Sequence, residues 1–124
     1  MKVLIVDDTN TLRSLVQIYL IAHGWEFAEA QNGADGLEKA RALRPDVIVS
    51  DVKMPVMDGF ELCAAIRSDP DLAQTPVVLL TMFGDEASRQ RGRLVGATAF
   101  LTKPIAPDKL RDAVRAAVAR NGGR

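Results

Sequence analysis

Short runs of β-branched and aliphatic residues alternate five times along the chain with longer segments whose apolar residues recur every three or four positions. The first pattern is that of strands and the second that of amphipathic helices. The strand candidates are residues 2–6 (KVLIV), 25–30 (WEFAEA), 46–50 (DVIVS), 76–80 (PVVLL) and 98–101 (TAFL). Three of the five are almost wholly apolar, as expected of strands covered on both faces, whereas the second alternates Glu26 and Glu29 with apolar neighbours and suits an edge.

The clearest helix carries Leu12, Leu15, Val16, Tyr19 and Leu20 as a stripe after the potential caps Thr9 and Asn10. The last has Pro107 in its first turn, Leu110, Val114, Ala117 and Val118 as its buried stripe, and Gly122 and Gly123 at its end. Helices near 34–43, 59–67 and 85–95 lie between them. The third of these holds Gly92 and offers only Ala87, Leu94 and Val95 as apolar anchors, so it is expected to be the least stable. Strands and helices in strict alternation predict an α/β fold: a single doubly wound, five-stranded parallel sheet in the flavodoxin-like order 2-1-3-4-5, with five flanking helices. Residues 1–120 are read as the domain and 121–124 as a flexible tail.

The chain has 124 residues, 48% of them apolar and 26% charged, which fits one domain with a real core and no DNA-binding domain beside it. Apolar stretches of four or five residues predict no membrane insertion, and the acidic pair after Val3–Val6 speaks against a secretory signal. The single cysteine, Cys63, has no disulfide partner and sits in an apolar-periodic segment, consistent with a reducing cytoplasm. Formal net charge is zero, which disfavours general nucleic-acid binding. The average hides an asymmetry, since residues 1–62 carry ten acids and six bases and residues 63–124 six acids and ten bases.

The candidate chemistry lies at the carboxyl ends of the predicted strands. Asp7 and Asp8 end the first, Asp51 the third and Thr81 the fourth, and Lys103 follows the fifth by two residues. Converging carboxylates repel one another unless a divalent cation and an ammonium neutralise them, and an all-oxygen set selects a hard ion, so Mg²⁺ is the expected cofactor. A carboxylate beside such an ion can attack phosphorus, and Asp51, on the central strand at the switch point of the sheet, is the candidate nucleophile. Thr81 and Lys103 are the candidate donors to phosphate oxygens.

At these residues the sequence closely resembles the response-regulator receiver family of two-component signalling. The resemblance rests on VLIVDD at 3–8, SDVKMPVMDG at 50–59, PVVLLT at 76–81 and GATAFLTKP at 96–104, and covers essentially the whole chain. It implies Mg²⁺ bound by Asp8, Asp51 and the backbone carbonyl of Lys53, with Asp7 helping through water. It implies Asp51 as phosphate acceptor, Thr81 and Phe100 as the switch pair, and a cis bond at Lys103-Pro104. The implied donor is the phosphohistidine of a histidine kinase or phosphotransfer protein. The implied output is partner binding on the face of helix four, strand five and helix five, where Arg89, Arg91, Arg93, Lys109, Arg111 and Arg115 stand. An acidic protein partner, a nucleotide ligand and a plain solvated surface are all compatible with that basic face, and dimerisation through it stays open. Such a domain is not an enzyme beyond its own phosphotransfer and dephosphorylation.

Three positions depart from the family's common pattern. Met82 stands where a small residue is usual and narrows the mouth of the site. Lys53 and Phe83, at the two places flanking the attacking water, are neither acids nor amides, so slow self-dephosphorylation is expected. The rivals are a receiver that only docks, without phosphorylation, and an aspartyl-nucleophile phosphohydrolase. Adjacent aspartates on strand one and the lack of substrate-covering sequence count against the second. Met1 just before strand one favours a free-standing protein, while Gly122-Gly123 reads equally well as the start of a linker.

Overall fold

The computed structural model describes residues 1–20, 24–82 and 84–122. Its elements are β1 (Lys2–Val6), α1 (Asn10–Leu20), β2 (Glu26–Ala30), α2 (Gly33–Leu43), β3 (Val47–Asp51), α3 (Gly59–Ser68), β4 (Val77–Thr81), α4 (Glu86–Leu94), β5 (Ala99–Thr102) and α5 (Pro107–Gly122). All neighbours pair in parallel, in the order β2-β1-β3-β4-β5. The expected architecture is therefore the observed one. β1 falls where expected and β2 starts one residue later, whereas β3, β4 and β5 each shift by one residue, so that Asp51 and Thr81 are the last residues of their strands and Lys103 directly follows β5. The helix α5 runs through Gly122, so Asn121 and Gly122 belong to it, while residues 123 and 124 of the expected tail lie outside the described part.

Strand alternation sorts the core into two layers. Val3, Ile5, Val47, Val49, Val78 and Leu80 face Val16 and Leu20 of α1 and Leu110, Val114 and Ala117 of α5. Leu4, Val6, Ile48, Val77 and Leu79 face Ala40, Phe60, Leu62, Cys63 and Ile66 on the other side. Cys63 is fully buried, as its periodic place predicts, and burial pushes its thiol pKa up. Two expected anchors fail: Ala87 is exposed and Leu94 is 86% exposed, while Val95 packs against the core. The turn of α4 instead brings Gly92 inward, and it is the only buried residue of that helix. A Cβ on Gly92 would lie 2.8 Å from the Phe100 ring, so the glycine permits helix and β5 to approach closely.

The helix starts sit at the carboxyl ends of the strands and are locally specified. Asn32 caps α2, Asp85 caps α4, and Asp58 with Glu61 forms a reciprocal capping box on α3. Since α1 and α5 cover one face of the sheet while α2 and α3 cover the other, the chain changes sides between β1 and β3. The crevice beyond those two strands is where doubly wound sheets bind ligands.

Candidate functional site

Asp7 follows β1 directly and is held at several points. Its N–H donates to the Ala30 carbonyl at 3.0 Å, and its Oδ1 accepts the Thr9 N–H at 2.9 Å. The adjacent Asp8 is exposed, whereas Asp7 is only 5% exposed. Asp51, at the end of β3, directs Oδ1 toward the Val52 N–H at 2.9 Å and the Lys103 ammonium at 3.1 Å. Lys103 also lies 3.8 Å from Asp7 Oδ2, so a single cation spans the acids of two strands. One carboxylate oxygen from each of Asp7, Asp8 and Asp51 can be chosen such that all three lie within 4.8 Å of one another.

This donor set fits a hard divalent cation. It offers only oxygen, and three carboxylates against one ammonium leave an excess of two negative charges. Burial pushes the Asp7 carboxyl up from 3.8 to about 6; the Thr9 N–H pulls against this, and the neighbouring Asp51 charge adds to the rise. A bound dication would relieve that cost. Thr81 is 2% exposed at the end of β4, the strand beside β3. The predicted cluster of Asp7, Asp8, Asp51, Thr81 and Lys103 is thus brought to one rim. The Lys103-Pro104 bond is cis.

The loop after β3 is shaped by its backbone. Gly59 N–H donates to the Val52 carbonyl at 2.8 Å, and a Cβ on Gly59 would come 2.4 Å from the Asp51 carbonyl oxygen. The buried Ser50 hydroxyl donates to that same oxygen at 2.8 Å. Both residues bound the SDVKMPVMDG stretch at 50–59, but the sequence gives neither a role of its own. The Asp-Gly pair opening α3 was the available signal for Gly59, whereas nothing local marks Ser50. Lys53 lies in this loop, and Met82, 66% exposed, stands at the rim of a cavity of about 440 Å³ whose lining includes Asp7, Leu15, Tyr19, Lys103 and Ile105. Phe83 lies outside the described residues.

Phe100 is partly buried on β5, its ring stacked against Phe60 with centroids 6.3 Å apart. The six basic residues assigned to an output face do not gather at one point: Arg89 and Arg93 line one hollow beside Phe100, and Arg91 lines another beside Phe60. Arg89 donates to the Gly84 carbonyl and to Thr102 Oγ1, and its guanidinium stands 5.8 Å from the Phe100 ring. Arg91 stands 4.6 Å over Phe60, on the α3 side. Arg93 pairs with Glu86 and Arg111 with Asp112, Lys109 lies in the first turns of α5, and Arg115 stands 6.0 Å from Trp25, the residue before β2.

Among the described residues no helix is long and apolar enough to cross a membrane. The family model for the response regulator receiver domain matches residues 3–115. Protein PilG of Pseudomonas aeruginosa is 33% identical over 95% of this chain and 87% of its own length. Protein PilH of the same organism is 33% identical over 95% of this chain and 98% of its own. A probable transcriptional regulator, ycf27 of Guillardia theta, is 36% identical over 96% of this chain, which spans only 46% of that relative. Among solved structures, chemotaxis protein CheY4 of Vibrio cholerae superposes with a TM-score of 0.88 at 40% identity, covering 94% of this chain and 97% of that one. Fold, acidic crevice and relatives agree: this chain belongs to the response regulator receiver domain family.

Proposed function

We propose that the domain accepts a phosphoryl group on Asp51 and relays it as a change of surface. The observation that carries the reading is the Lys103 ammonium 3.1 Å from Asp51 within a cluster of three carboxylates whose oxygens approach within 4.8 Å. Asp51 attacks phosphorus through a carboxylate oxygen while the P–N bond to the donor imidazole breaks; the nitrogen keeps the electron pair and takes up a proton. Mg²⁺, held by Asp8, Asp51 and the Lys53 carbonyl with Asp7 behind, would neutralise charge on the transferring oxygens. Val52 N–H and Lys103 fix the plane of the attacking carboxylate. Lys103 and Thr81 then donate to the phosphoryl oxygens, and Phe100 follows Thr81.

The donor class is the phosphohistidine of a histidine kinase or phosphotransfer protein, and the output is a protein bound on the α4-β5-α5 face. Because the six basic residues there are dispersed, shape change around Phe100 is favoured over a simple anionic ligand as the signal. The test incubates the protein with Mg²⁺ and acetyl phosphate and reads intact mass. An added mass of about 80 Da, one phosphoryl group, is expected in the wild type and not in Asp51→Asn. An unmodified wild type, under conditions that label an authentic receiver, would leave the docking-only reading.

A further inference from the structure

Arg13 has no place in the chemistry above, yet all three nitrogens of its guanidinium are engaged. It is only 11% exposed in its side chain. Its Nε pairs with Glu29 Oε1 at 3.0 Å, while its other two nitrogens donate to the Asp7 backbone carbonyl and to Asn10 Oδ1. One planar fork thereby ties together the turn after β1, the start of α1 and the edge strand β2.

The Asp7 carbonyl belongs to the peptide that joins Asp7 to Asp8. The other fixed points of that turn flank Asp8: on Asp7, the N–H on Ala30, Oδ1 on Thr9 and Oδ2 near Lys103, and on Thr9, the carbonyl that accepts the Arg13 backbone N–H at 3.1 Å. Asp8 is exposed, and its direction depends on how the Asp7-Asp8 peptide plane is turned. We infer that Arg13 is a positioning residue for the cation site, clamping the Asp7 carbonyl so that the Asp8 carboxylate is aimed at the crevice. Arg13 adds no ligand atom. It reduces the freedom that Asp8 loses when a cation binds, as outer partners of metal ligands do. The inference rests on Asp8 as a cation ligand.

Calorimetric titration with MgCl₂ tests it without any phosphoryl donor. Arg13→Gln is expected to weaken Mg²⁺ binding by about tenfold, within the range for lost outer partners, and Arg13→Lys, which keeps one donor, by less. Glu29→Gln removes the ion pair but keeps the carbonyl bond and is expected to stay within about twofold of the wild type. Denaturation in EDTA reports on folding separately. Equal Mg²⁺ affinity in wild type and Arg13→Gln would overturn the clamp while sparing the cation site. Equal losses in Glu29→Gln and Arg13→Gln would assign the effect to the ion pair and overturn it too. A wild type that binds no Mg²⁺ would overturn both the clamp and the cation site.

Discussion

Replacing Asp7 by Asn should stabilise the cation-free protein at neutral pH, although it damages the site. Burial raises the Asp7 carboxyl from 3.8 to about 6. Below pH 3.8 the side chain is protonated whether the chain is folded or not, and it costs nothing. Between 3.8 and about 6 the unfolded chain releases the proton while the folded chain keeps it. The folded state then binds more protons, so stability falls as pH rises through this window, and the full cost is present above it. The change from 3.8 to about 6 converts to roughly 3 kcal/mol as an upper figure. Asn mimics the protonated carboxyl: its Oδ1 can still accept the Thr9 N–H, and Lys103 keeps Asp51 at 3.1 Å. The expected gain is about 1–3 kcal/mol at pH 7, or about 3–5 °C in melting temperature per kcal/mol for a chain of this size. Urea titrations in EDTA from pH 4 to pH 8 measure it, read as the difference between Asp7→Asn and wild type so that other carboxylates cancel. That difference should be small near pH 4, grow to about pH 6 and then level off. A variant no more stable than wild type at pH 7, or one more stable by the same amount at every pH, would refute the reasoning. Saturating Mg²⁺ should reverse the order by stabilising the wild type more.

Lys103→Gln should bind Mg²⁺ several-fold more tightly, because it removes the positive charge 3.1 Å from Asp51, while phosphorylation by acetyl phosphate slows severely; calorimetry and intact mass read the two effects. Gly59→Ala should destabilise the fold by about 2 kcal/mol or more, since the new methyl meets backbone that cannot yield, 2.4 Å from the Asp51 carbonyl oxygen and 2.9 Å from Val52 Cα; a unchanged urea midpoint would contradict this. Val56 holds φ at 69° while 82% exposed, so Val56→Gly should relieve backbone strain and raise stability by about 1 kcal/mol, whereas a lower midpoint would show that the loop prefers the valine.

The fold was legible because its strands are apolar runs of the right length, and because Glu26 and Glu29 mark the edge. The acidic cluster was legible because strand ends converge by topology alone. What escaped was set by contacts between distant segments. Leu94 reads as an anchor in sequence, but the rotation of α4 is decided by Gly92 meeting Phe100, a fact with no local signature. The arginines look like one basic patch, yet Arg91 is turned about 200° from Arg89 around α4, over Phe60, while Arg89 and Arg93 share a side and still take different partners. Arg13 appears as one charge on an apolar helix until β2 supplies Glu29.

The same contacts explain how a phosphoryl group on Asp51 would be felt at α4. With Gly92 its only buried residue, α4 is held by little apolar burial and costs less to move than its neighbours. Its inner surface is the Phe100 ring, which lies against Phe60 and under Arg89, while Arg89 also joins Gly84 to Thr102. Any displacement of Thr81 toward a phosphoryl group frees volume on the strand beside β5, and close packing makes filling that volume a discrete step. Reversing a 1:99 population requires about 5.5 kcal/mol of differential binding. Charge-assisted hydrogen bonds contribute about 1.5–3 kcal/mol each, so two or three formed only in the phosphorylated state are enough. The proposed switch therefore needs no long path: Asp51 ends β3, Thr81 ends the adjacent β4, and Phe100 stands on the next strand, β5, against the loosely held α4.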